Sequence, residues 1–163
     1  MRAPRPVVTM TTLLMVAATS SACGGDSSES RLRMQRWIED ADEICEDENA
    51  ELAEVATPEL DPFDESLTVA QLDDIATYLE RTLEVQDETS ERLDDLGLPA
   101  DDAGDIEDVL EQRERGREAV ELAIDSGRAG DAEQFVANYR EAVTEYDKAT
   151  RGAREFGLEE CGQ

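Results

Sequence analysis

Four stretches of this chain repeat apolar residues at steps of three and four, the spacing that gathers side chains on one face of an α-helix. In the first, from about 31 to 56, Trp37, Ala41, Ile44, Glu48, Leu52 and Val55 share a stripe, with Ile38 and Cys45 beside it. Pro58 and Pro62 end it, since neither can continue a helix. Thr68 and Gln71 have capping-box spacing ahead of a second run, Val69, Leu72, Ala76, Leu79, Leu83, Gln86, Ser90 and Leu93. Leu96-Gly97-Leu98-Pro99 stops that run. The third helix is predicted to start between Asp101 and Asp105, acids that suit a helix N-terminus. It continues through Ile106, Val109, Leu110, Val120, Ala123 and Ile124 to a cap at Gly127. Asp131 caps the fourth, whose seam is Phe135, Tyr139, Ala142, Tyr146, Ala149, Ala153 and Phe156, closed by Gly157. No segment alternates with period two, so strands are not expected.

Four helices of about 25 residues, each about 37 Å long, joined by short connections predict an all-α, antiparallel four-helix up-down bundle over residues 31–163. Ahead of it lies a different kind of segment. Arg2 and Arg5 precede an apolar run from Val7 to Ala18, then small residues and Cys23, followed at once by Gly24-Gly25-Asp26-Ser27-Ser28. That order is the pattern of a lipoprotein signal over residues 1–22, with Cys23 as the lipidated residue and 23–30 as a flexible tether. Ser20-Ser21-Ala22 also suits ordinary signal cleavage, which would leave Cys23 a free thiol. The apolar run is shorter than the roughly 20 residues a membrane-spanning helix needs.

The chain has three cysteines. If Cys23 carries lipid, Cys45 and Cys161 are left, and outside the cytoplasm such a pair most often forms a disulfide. Two buried thiols are the alternative. Zinc would require carboxylates to complete the set, an unusual mixture. Pairing makes a geometric demand. Cys45 lies about 21 Å up the first helix from Arg31, whereas the fourth helix ends beside the first one's start. Residues Gly157 to Gln163 must therefore climb back along the first helix, with Leu158 packed on the bundle. The distances close better if the first helix begins nearer Met34.

Charge narrows the function classes. Without residues 1–22 the chain holds 13 basic and 42 acidic residues, a formal charge of 13 − 42 = −29. Nucleic acid is excluded as a partner, because a phosphate backbone needs a basic surface. The bias toward acid, and toward arginine over the single Lys148, fits a GC-rich genome and a saline setting where salt screens self-repulsion, or else a charged solvated surface that keeps a secreted helical protein soluble. There is no histidine, which removes Ser-His and Cys-His nucleophiles, imidazole metal sites and the Glu-x-x-His pairs of di-iron bundles. No glycine-rich phosphate loop is present. Lys148 lies off the fourth-helix seam, as a surface cation would. No cofactor or metal is therefore expected.

Two features interrupt the pattern. Arg113 and Arg117 occupy places where the third stripe calls for apolar residues, with Gly116 between them, and Gln86 and Ser90 make a similar break in the second. Facing one another, these residues would hold an anion or polar ligand. Otherwise the arginine stems cover apolar surface while their charges reach water or glutamates, and Gly116 allows close approach or a kink. The acids between residues 94 and 108 offer oxygens to calcium, but their spacing matches no EF-hand loop.

Ala41-Asp42-Glu43-Ile44-Cys45, Gly130-Asp131-Ala132-Glu133 and Phe156-Gly157-Leu158-Glu159-Glu160-Cys161-Gly162 resemble a group of small secreted or lipid-anchored helical proteins common in actinobacteria. The resemblance spans most of the chain after Cys23. It implies an export signal and a disulfide from the first helix to the C-terminus, and it brings no catalytic residues. The acid content and Ser20 depart from that group. The expectation is a non-catalytic, membrane-anchored envelope lipoprotein whose helical surface meets an envelope protein partner. A small-ligand or cation-binding lipoprotein, using Gln86, Arg113 and Arg117 or the 94–108 region, is the alternative. Oligomeric state is not legible in the sequence.

Overall fold

The computed structural model describes residues 26–99 and 103–163. The segment read as a signal, Cys23, Asp101 and Asp102 lie outside the described residues. The chain folds as an antiparallel four-helix bundle of α1 (Asp26–Glu54), α2 (Val69–Leu96), α3 (Ala103–Ala129) and α4 (Ala132–Phe156). No helix among the described residues is long and apolar enough to cross a membrane.

The helix ends follow local chemistry. Thr68 and Gln71 form both halves of the predicted capping box, and the Asp131 carboxylate accepts the Gln134 N–H at 3.1 Å. At the end of α4, Gly157 takes φ +103°, and Leu158 N–H reaches back to the Ala153 carbonyl at 2.9 Å, a Schellman closure. Two boundaries differ from the sequence expectation. α1 starts at Asp26, so residues 26–30, read as tether, are helical. Serine and acid are at home in a first helical turn, where amides lack partners and negative charge is favoured. Gly127 is not the α3 cap. The helix runs three residues further to Gly130, which takes φ +74°, while Asp131 N–H bonds Ser126 O at 2.9 Å. Gly127 is buried instead, where a Cβ would sit 3.3 Å from the Phe135 ring.

The core divides in two. One cluster joins α2, α3 and α4 through Leu72, Leu79, Val120, Phe135 and Val136, with Leu67 from the α1–α2 loop. The other joins α1 to the opposite ends of those helices through Trp37, Ala41, Leu93, Ile106, Val109, Ala153 and Leu158. Val69, placed on the α2 stripe, is 63 % exposed because it occupies the helix's first position, outside the core.

The Trp37 ring packs edge-on to Phe156 at 6.1 Å and donates Nε1–H to Gly97 O at 2.7 Å. Trp37 is thus level with the C-terminal ends of α2 and α4. The helix does not begin near Met34, the start that would have eased the disulfide distances, but at Asp26; Met34 is instead the first α1 residue packed against the core. From Trp37 to Glu54 α1 rises about 26 Å, against about 42 Å for the whole of α2. It falls short of the bundle's other end. The loop after it covers part of the gap with Leu60, Leu67 and Phe63, the last at 5.3 Å from the Tyr139 ring.

Candidate functional site

Cys45 and Cys161 are bonded, closing a loop of sequence separation 116 with Cα atoms 5.0 Å apart. The returning tail is held by more than sulfur. Asp42, one helical turn before Cys45, accepts the backbone N–H groups of Glu159 at 3.0 Å, Glu160 at 2.9 Å and Cys161 at 3.4 Å. Asn49 donates to Glu160 O at 3.1 Å. Leu158 is buried against the second core cluster, as expected. A carboxylate serving three consecutive amides is a charge-assisted clasp. Asp42 lies inside the Ala41–Cys45 motif, and its three-residue offset from Cys45 puts both on one helix face. Only the folded-back tail reveals what it binds.

The polar break in the stripes is a layer between the two core clusters. Glu48, on the α1 stripe, is 6 % exposed and takes both terminal nitrogens of Arg113 at 2.8 and 3.3 Å. The pair crosses the bundle from α1 to α3. Beside it the Tyr146 hydroxyl donates to Gln86 Oε1 at 2.7 Å, joining α4 to α2. Gly116 permits this, since a Cβ there would sit 3.1 Å from the Tyr146 ring. Burial pushes the Tyr146 phenol up to about 12; Glu48 adds to the rise, and Arg113 and Gln86 oppose it.

Gln86, Ser90, Arg113 and Arg117 all line one cleft of about 370 Å³, so the sequence-predicted residues do converge. Their charges are already matched. Arg117 gives Nε and Nη2 to Glu114 and Nη1 to Glu121, at 2.6 to 2.9 Å, and the Glu114 hydrogen bonds raise its pKa above the usual arginine range. Asp94, Leu110, Glu111, Glu114 and Tyr146 complete the lining. The arrangement fits the second sequence reading, stems over apolar surface and charges on glutamates, and it gives Gly116 a further role in seating Tyr146.

The remaining candidates are dispersed. Asp94 and Asp95 are exposed, and Asp105 and Asp108 line a surface groove with Gln112 and Glu155. Among the described residues no group of three or more Cys, Asp or Glu side chains is placed to hold a metal ion. Lys148 pairs with Glu145. Among the described residues, the carboxylates with displaced pKa values, Asp64, Glu114 and Glu145, are all lowered, foremost by hydrogen bonds from Ser66, Arg117 and Lys148 respectively. A general acid working near neutrality needs the opposite shift. No family model matches the chain, and no curated protein and no solved structure matches it.

Proposed function

We propose that this protein is an extracytoplasmic lipoprotein, anchored to a membrane through Cys23, whose non-catalytic helical domain serves as an interaction or structural component of a bacterial envelope. The observation that carries this reading is the bond between Cys45 and Cys161. It uses two of the three cysteines in a manner typical of oxidising compartments and leaves Cys23, at the end of the export-type leader, as the one candidate for lipid. α1 begins three residues after Cys23 and runs about 12 Å before Met34 joins the core. Such a helix would hold the bundle clear of the membrane surface. The resemblance to lipid-anchored actinobacterial proteins supports the same reading.

Intact mass spectrometry of the detergent-purified protein, before and after reduction, tests it. A chain starting at a diacylglyceryl Cys23, gaining two hydrogens on reduction, is the expected result. An unmodified, freely secreted chain overturns the anchor. Convergence of Gln86, Arg113 and Arg117 on one cleft favours, as a second reading, binding of a small polar ligand there. An anion would have to displace the carboxylates that Arg113 and Arg117 already hold, so this reading is the weaker.

A further inference from the structure

Because α1 stops at Glu54, the α2–α4 face toward the loop end of the bundle lacks a covering helix. Two adjoining cavities of about 160 and 100 Å³ lie there, sharing Tyr78, Leu79 and Tyr139. Neither is lined by a charged residue, although charged residues make up 35 % of the chain. All three tyrosines of the protein line the larger one.

α2 and α4 run parallel, so Tyr78 with Tyr139 and Gln86 with Tyr146 form two rungs about 11 Å apart along the slot. The lower rung is closed by the Tyr146–Gln86 hydrogen bond. At the upper rung the rings are half-buried, and burial, with Tyr78 adding its charge, raises the Tyr139 pKa. Among the described residues, the Tyr78 and Tyr139 hydroxyls and the Gln86 Nε2 have no protein hydrogen-bond partner and are open to solvent.

These properties restrict the ligand. An anion would enter against a formal charge of −27 for the whole chain and meet no cation in the lining. A quaternary ammonium would be drawn to the ring faces, but it would leave two phenols and a carboxamide without partners, as would a hydrocarbon chain. A sugar ring satisfies both demands: its C–H face lies on an aromatic ring, and its hydroxyls meet phenol O–H and amide N–H groups. The cavities are smaller than the roughly 300–1,000 Å³ of a drug-sized pocket, which limits the occupant to a short segment. We propose that the slot between α2 and α4 binds an uncharged oligosaccharide segment, gripped by Tyr78, Tyr139, Tyr146 and Gln86. The slot adjoins the Arg113 cleft, sharing Gln86 and Tyr146 with it, but its Tyr78–Tyr139 end lies outside that cleft, and it does not depend on the anchor.

The test titrates the detergent-purified, disulfide-intact protein with maltotriose, cellotriose and triacetylchitotriose, followed by saturation-transfer NMR and calorimetry. At least one should bind. The double variant Tyr78→Phe/Tyr139→Phe keeps the rings and removes only hydroxyls that have no protein partner, so its melting temperature should not change. Its saccharide affinity should fall about fivefold per hydroxyl. Failure of all three sugars at tens of millimolar overturns the proposal, as does a double variant that binds them undiminished. Tighter binding of an oligoproline peptide or of tetramethylammonium, competing with the sugars at these tyrosines, also overturns it.

Discussion

Glu48 occupies an apolar stripe, and its role is set by one atom pair rather than by the stripe. A carboxylate that is 6 % exposed and bidentate to a guanidinium is costly to strand. Removing one partner leaves an uncompensated buried charge, a loss of about 3–5 kcal/mol, whereas replacing both by apolar residues of similar volume is often neutral. Glu48→Leu and Arg113→Met should each lower urea-unfolding stability by about 3 kcal/mol, and the double variant should lie near the parent. A double variant as unstable as the sum of the singles would show that the pair does not act as a unit. Both positions were visible in the sequence as irregularities. Their pairing was not, because it joins α1 to α3 across the bundle, a neighbourhood that helical periodicity does not encode.

At the scale of elements, α3 and α4 pack most closely of the helix pairs, and small residues make this possible. A Cβ at Gly152 would stand 2.8 Å from Val109 Cγ2, closer than atoms tolerate, while one at Gly104 would meet nothing within 4 Å. Gly152→Ala should therefore force the helices apart and cost about 1–3 kcal/mol. Gly104→Ala should be neutral or stabilise by up to about 1 kcal/mol through helix propensity. Thermal melts of the two variants check the contrast, and equal melts would refute it. Helix existence and phase were legible because each stripe repeats over about five to seven turns. Ends were less so. Gly127 read as the α3 cap, but the helix ends at Gly130, because Asp131 starts α4 there while Phe135 packs against Gly127.

For the whole molecule, the decisive feature is the clip that returns the C-terminus to α1. Its disulfide closes a loop long enough to stabilise the fold by up to about 5 kcal/mol in the chain-entropy model. Asp42 adds three charge-assisted bonds to the same segment. Asp42→Ala should lower stability by about 1–3 kcal/mol and make the Cys45–Cys161 bond several-fold faster to reduce, as timed by thiol trapping in dithiothreitol. An unchanged reduction rate would mean that sulfur alone holds the tail. The sequence by itself determined the four helices, their phases, most of the core, the cysteine pairing and the need for a climbing tail, because these follow from spacing, parity and reach along the chain. Tertiary structure alone decided that α1 enters the bundle at Met34 and stops short, that Asp42 clasps the tail, that Arg113 faces Glu48, and that three tyrosines share an uncharged slot. Each of these depends on the axial offset between helices, which no single helix's pattern contains.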